Sequence, residues 1–183
     1  MRTVITTDRL VLRQPTLGDA KTISRLLSDK AIVRMTASIP YPFCMLSAEF
    51  WIMQTLANWD RDVSHSYIIT DGKNIIGDIS LFNAKDGSKE LGYWIGKPYW
   101  GKGYASESAK AIIAESFDSL DIPHIDAGYF DDNPASGHIL GKLGFVSKNE
   151  FSHLYSIGRG TSARGIELRL HRKSAMKMQN TNA

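Results

Sequence analysis

One cysteine, Cys44, is too few for an intrachain disulfide, which fits a reducing compartment. As a nucleophile it would need a positioned base, and its sequence neighbours supply none, so it reads as an ordinary packed or surface thiol. No apolar run approaches the roughly 20 residues of a membrane span. The start, Met1-Arg2-Thr3-Val4-Ile5, lacks the basic-then-apolar layout of a secretion signal. A cytoplasmic location with no membrane partner is the expectation. Neither sign of charge dominates: 22 basic residues against 19 acidic ones leave a net +3. Only Arg169, His171, Arg172 and Lys173 gather basic groups, whereas nucleic-acid binding calls for a concentrated basic face. A solvated strand end is the better reading, and no nucleic-acid partner is expected. The five histidines show neither metal-ligand spacing nor a Ser–His–Asp pattern, so no metal is expected. No repeat or low-complexity linker interrupts the chain before Met176. The sequence therefore reads as one domain over residues 1–173 with a disordered tail over 174–183.

What is present is a succession of short apolar periods. Residues 9–13 alternate and predict a first strand. Thr16 with Asp19 predicts the start of a helix carrying Ile23, Leu26 and Leu27 on one face. Ser47 opens a second helix through about Trp59. Between them Ile39-Pro40-Tyr41-Pro42-Phe43 excludes regular helix and leaves an aromatic loop. Strand patterns follow at His65–Thr70, Asn74–Phe82 and Lys89–Ile95, joined by turns at Asp71-Gly72 and Asp86-Gly87. A helix over 104–118, a strand at His124–Tyr129, a helix at Pro134–Leu143, a strand from about Phe145 and a closing strand at Ile166–Leu170 complete the order. The fold class is α+β, a mixed sheet covered by helices.

The most informative stretch is Leu91-Gly92-Tyr93-Trp94-Ile95-Gly96-Lys97-Pro98-Tyr99-Trp100-Gly101-Lys102-Gly103-Tyr104-Ala105. A strand runs through a glycine turn into a helix, and such a helix end presents free N–H groups and a positive dipole to a phosphate. Gly101 and Gly103 can adopt positive φ and let an anion approach the backbone. Read as Gly96-x-x-x-x-Gly101-Lys102-Gly103, the turn is one hydroxyl short of a nucleoside-triphosphate loop, because Gly103 cannot hold magnesium. Read as Trp100-Gly101-Lys102-Gly103-Tyr104-Ala105, it resembles the coenzyme A pyrophosphate loop of the GNAT acetyltransferases, Gln/Arg-x-x-Gly-x-Gly/Ala, with Trp100 in place of the leading Gln/Arg.

Two further segments resemble the RimJ/RimL-like branch of that family. They are Thr7-Asp8-Arg9-Leu10-Val11-Leu12-Arg13 at the start, and Asn133-Pro134-Ala135-Ser136 followed by Leu140-Gly141-Lys142-Leu143-Gly144-Phe145. The phosphate-loop alternative explains only one of the three segments. The resemblance implies a mostly antiparallel sheet whose central strands, Lys89–Ile95 and His124–Tyr129, splay to admit pantetheine. It also implies acetyl-CoA as co-substrate, held by Tyr93, Trp94, Ile95, Trp100, Gly101, Lys102, Gly103, Tyr104, Ala105, Asn133 and Lys142.

Acetyl transfer to an amine needs a deprotonated amine, donors for the carbonyl oxygen and an acid for the departing thiolate. By resemblance, Ser136 lies where a hydroxyl meets the thiol; the alternative is a helix-end serine bonding its own backbone. Asn133 before Pro134 reads as an N-cap, and in the family also contacts the coenzyme arm. Lys142 meets a phosphate or only solvent. Glu90 is the candidate base, against an outward-facing strand carboxylate; Asp78, Asp131 and Asp132 are weaker candidates. Tyr41 and Phe43, in the proline-bound loop, are the acceptor-binding candidates. Phe50, Trp51, Trp59 and Tyr155 could add to that wall, with Trp51 and Trp59 reading better as core. The expected activity is direct acetyl transfer to a primary amine, either a protein N-terminus or a small molecule, by a monomer or homodimer. The rival is a non-catalytic coenzyme A sensor of the same fold.

Overall fold

The computed structural model describes residues 1–84 and 87–175, and their strands form one eight-stranded sheet. The strands are β1 (Val4–Thr6), β2 (Val11–Arg13), β3 (Ser64–Thr70), β4 (Ile75–Asn83), β5 (Lys89–Ile95), β6 (His124–Phe130), β7 (Val146–Ser156) and β8 (Thr161–His171). They lie in the order β1-β2-β3-β4-β5-β6-β8-β7. All neighbours are antiparallel except β5 and β6, which run parallel because α4 carries the chain back between them. The helices are α1 (Ala20–Leu27), α2 (Lys30–Val33), α3 (Met45–Asp60), α4 (Tyr104–Ser119) and α5 (Pro134–Lys142). Among the described residues no helix is long and apolar enough to cross a membrane.

Strand alternation gives the sheet two apolar faces and hence two cores. Ile79 and Leu81 of β4, with Leu91 and Ile95 of β5, pack with Ala109, Ile112, Ile113 and Phe117 of α4. On the other face, Ile68 and Trp94 pack with Ile23, Leu26 and Leu27 of α1 and Ala48 and Ile52 of α3. The apolar face expected on α1 is therefore the buried one.

The remaining differences have local causes. β1 is only three residues long and pairs with β2 alone, too short to show a period. α2 is a single turn capped by Asp29, whose carboxylate accepts from Ala31 N at 2.9 Å. α3 begins at Met45, with Cys44 as its N-cap, rather than at Ser47. Cys44 is exposed, and the Ser47 hydroxyl beside its Sγ lowers the thiol's pKa. The β3–β4 turn forms at Asp71–Asn74 as expected, with Gly72 at φ 87°. Of the expected Asp86-Gly87 turn, Asp86 lies outside the described residues and Gly87 has φ 82°. Residues 172–175 form a helical turn that buries Ala175, so the tail expected from 174 is ordered there; 176–183 lie outside the described residues.

The C-terminal basic group is largely taken up in structure. Arg169 grips Asp126 through two bonds at 2.7 and 2.8 Å, and Arg172 donates to the carbonyls of Leu120 and Ile122.

Candidate active site

The central fork is the organising feature. β5 pairs with β6 at Lys89–Ile125, Glu90–Asp126 and Leu91–Ala127, and no pairing follows among the described residues. β5 stays bonded to β4 as far as Ile95. Its other edge therefore turns unpaired backbone groups into a gap facing β6, the splay that the family resemblance implies.

The turn after β5 is held in a cradle shape. Gly101 and Gly103 have φ of 74° and 79°, a region that strongly favours glycine. Gly103 is the N-cap of α4, and among the described residues no side chain caps that end. A Cβ on Gly101 would meet nothing within 4 Å. Open space beside a helix N-terminus with uncapped N–H groups fits a pyrophosphate.

The flanking side chains shape this turn. Trp100, 48% exposed, donates its indole N–H to Ile95 O at 2.6 Å and so pins the loop to the strand it leaves. Tyr104 is partly buried against the core and Ala105 is within it. Lys102 is exposed, its Nζ 5.6 Å from the Tyr99 ring centroid. Trp94 and Ile95 bury their side chains in opposite cores, leaving only their backbone to face the gap.

Arg9 is a residue the sequence reading passed over. Its Nη1 donates to Lys102 O at 3.0 Å, while its Nε bonds Glu107 at 2.7 Å in the first turn of α4. Thr7 Oγ1 donates to the same carboxylate at 2.5 Å. These bonds hold Glu107 ionised against the cost of its partial burial, and its pKa is lowered. The β1–β2 turn thus clamps the loop from outside. Its only sequence signal was the Thr7-Asp8-Arg9 segment itself.

On the α4–α5 face, Tyr93 and Ser136 meet. Tyr93 OH and Ser136 Oγ are 2.8 Å apart. Burial pushes the Tyr93 phenol up to about 12, partly offset by the Ser136 bond, so it stays protonated at neutral pH. With Tyr93 donating, the Ser136 hydroxyl keeps its own proton free for a third group. Asn133 caps α5: its Oδ1 accepts from Ser136 N at 3.3 Å, and Pro134 occupies the first turn. The Ser136 hydroxyl is therefore engaged by Tyr93 and not by its own helix. Lys142 sits exposed in the last turn of α5, where it complements the helix dipole.

Glu90 lies on the other face, because it alternates with Leu91 and Tyr93 along β5. Solvent still reaches it, yet surrounding protein removes part of its hydration and Glu167 and Asp126 add like charge. All three raise its pKa, with Lys148 opposing. Of the loop aromatics, Tyr41 is exposed with Lys30 over its ring. Phe43 corrects the expectation: at 8% exposure it packs among α1 and α3 and offers no ring to an acceptor. Trp51 packs against the same core, and Trp59 meets Tyr67 edge-to-face and donates to Ser66 O. Phe50 and Tyr155 are exposed.

Residues 9–146 match the family model for the acetyltransferase (GNAT) domain. An uncharacterised N-acetyltransferase of Bacillus subtilis, YoaA, is 32% identical over 150 residues, covering 78% of this chain and 82% of that protein. Among solved structures, Mycobacterium smegmatis RimJ in complex with CoA-disulfide superposes with a TM-score of 0.81 at 16% identity, covering 94% of this chain and 89% of that one. The microcin C7 self-immunity acetyltransferase MccE, in complex with acetyl-CoA and AMP, gives 0.80 at 20% identity, covering 90% and 93%. The fold agrees with these solved structures, and the family match over residues 9–146 shows that the chain belongs to the GNAT acetyltransferase family, as an acyl-CoA-dependent N-acetyltransferase with RimJ- and RimL-like structural neighbours.

Proposed function

We propose that the chain transfers the acetyl group of acetyl-CoA to a primary amine by direct attack in a ternary complex, as a single cytoplasmic domain. The observation that carries this reading is the placement of Ser136–Tyr93 and Glu90 on opposite faces of β5 at the fork. Acetyl-CoA, when bound, supplies the thioester. The N–H groups at the start of α4 and the backbone of Gly101–Gly103 hold its phosphates, and the free edge of β5 hydrogen-bonds its arm. Ser136 Oγ gives a proton to the departing sulfur, and Tyr93 OH, still protonated, donates to the Ser136 oxygen and stabilises the negative charge left on it. Glu90, from the acceptor side, takes the proton of the amine. Tyr41 lines the acceptor approach.

Turnover of acetyl-CoA with a panel of N-terminal peptides and small amines tests the reading; coenzyme binding without transfer to any of them would make the chain a sensor. Ser136→Ala should lower kcat by about 10²-fold, the scale of general-acid catalysis, with acetyl-CoA affinity unchanged. Steady-state rates beside thermal melts check this, since a purely helix-end serine would change stability and leave turnover per folded enzyme intact.

The acceptor class follows from Glu90→Gln. An α-amine has a pKa of about 7.7–8.0 and a lysine amine about 10.4. The former is partly neutral at pH 7 and needs little help, so the variant should retain much of its rate on an N-terminal peptide. It should lose about 10²-fold on a lysine-like amine. A pH–rate profile that collapses across the neutral range with the peptide, while acetyl-CoA still binds, would exclude the N-terminal acceptor.

A further inference from the structure

Arg159 occupies the turn between β7 and β8, and its side chain is only 11% exposed. Its Nη1 and Nη2 donate to both carboxylate oxygens of Asp132 at 2.9 and 2.7 Å. Its Nε donates to the carbonyl of Arg34, just past α2. The guanidinium lies 4.5 Å from the Phe130 ring centroid, and Nη2 also reaches Met35 Sδ at 3.4 Å. Arg34 itself bonds Asp132 at 2.5 Å.

The same turn is stitched to the segment after α2 by one side-chain and one backbone hydrogen bond. Ser156 Oγ donates to Thr36 O at 2.7 Å and Ile157 N to Ala37 O at 2.9 Å. Gly158 sits so close to the carbonyls of Val33 and Ile39 that a Cβ would come within 2.8 and 2.9 Å of them. Three segments distant in sequence, 33–39, 130–133 and 156–160, therefore converge on one guanidinium. A planar fork that bonds a carboxylate twice while reaching a carbonyl sideways is a geometry lysine cannot copy.

The consequence lies one residue further on. Asp132 immediately precedes Asn133, whose side chain caps the turn bearing Ser136. Segment 33–39 leads directly into the loop carrying Tyr41. We propose that Arg159 is a positioning residue for acetyl transfer, locking the acceptor-side loop to the start of α5 so that Ser136 and the acceptor wall hold one fixed relation. This rests on the reading of Ser136 as proton donor. Arg159 touches neither Ser136 nor Tyr93; it acts through Asp132.

The test uses the full chain. Arg159→Ala should lower kcat/KM for the amine about 10- to 100-fold, the scale of a small misplacement of reacting groups, through both kcat and the amine KM. Acetyl-CoA affinity by calorimetry should fall by no more than about 5-fold, because Arg159's described contacts do not include the Gly101–Gly103 loop and only Asn133 of the expected coenzyme contacts adjoins Asp132. Hydrogen exchange should quicken together in segments 33–39 and 131–137. Arg159→Lys, which keeps the charge but not the fork, should fall between, and it carries the test if the alanine variant does not fold. Asp132→Asn should reproduce the defect, and the double variant should be no worse than either single one. A folded Arg159 variant with a lower melting temperature but unchanged kcat and amine KM would overturn the proposal, as would exchange rising in one segment only. If the wild-type chain acetylates no amine, the transfer reading fails instead, and the exchange experiment alone then decides whether the two segments are locked together.

Discussion

Gly103→Val should leave a folded chain that binds acetyl-CoA at least ~100-fold more weakly, a loss of about 2.7 kcal/mol. The physical cause is conformational. Gly103 holds φ at 79° as the N-cap of α4, where a β-branched residue is strongly disfavoured. The Cβ itself would meet only Arg9 Nη2, at an ordinary 3.4 Å, so crowding by protein is not the obstacle. Valine would instead rotate the peptide that aims the first N–H groups of the helix, and its branches would enter the space open to a phosphate. Lys102→Ala should change affinity far less, since its ammonium rests by Tyr99 and only its carbonyl takes part in the clamp with Arg9. Calorimetric titration beside a thermal melt checks both; undiminished affinity in folded Gly103→Val would remove this loop as the coenzyme cradle.

The second large effect concerns stability. Asp78 is 4% exposed on β4, between Ile68 of β3 and Trp94 of β5. Its Oδ1 accepts from Ser80 Oγ at 2.8 Å, Ser80 lies 2.7 Å from Ser66 Oγ, and Oδ2 has no partner among the described residues. Burial pushes its carboxyl up to about 7, only partly offset by Ser80. The fold thus prefers the neutral acid, and ionising it fully costs about 3 to 5 kcal/mol.

The sign follows from proton binding. Between its ordinary carboxylate value and about 7, the folded state holds a proton the unfolded chain has lost, so stability falls as pH rises through that window. From pH 5.5 to pH 8 the loss is about 2 kcal/mol, or roughly 4–8 °C in Tm for a chain of this size. Asp78→Asn, which matches the neutral acid in shape, should flatten this slope and melt higher than the parent at pH 8. His65 opposes the trend: burial lowers its pKa, so its neutral form is favoured and its contribution falls as pH drops. The difference between parent and variant cancels that term. A parallel pair of melting profiles would show that Asp78 is ionised without cost.

Much of this was legible in the sequence for identifiable reasons. β3, β4 and β5 are long enough for alternation to register, and Gly72 and Gly87 mark where the chain must reverse. The start of α4 was legible because Gly101 and Gly103 serve a backbone geometry that few other residues satisfy. What stayed hidden depends on contacts between distant segments. Tyr93 was expected only among the coenzyme contacts, and its phenol meets Ser136 because α5 packs on that face of the sheet. Arg159 lay in an unremarkable turn, and its partners Asp132 and Arg34 are 27 and 125 residues away along the chain. Phe43 and Tyr41 share one proline-rich loop, and composition could not say which ring turns inward.

β5 is shared by both cores: Leu91 and Ile95 belong to one, Trp94 to the other. Each of its side chains is felt on one face only, so the strand insulates the two halves of the enzyme while joining them. For protein engineering this makes the acceptor side a replaceable tool head on a fixed handle. Under the proposed roles, libraries confined to Tyr41 and the loop around it should retarget the amine without disturbing the grip on the donor, provided that Glu90 and the coupling through Arg159, Asp132 and the 156–160 turn are retained.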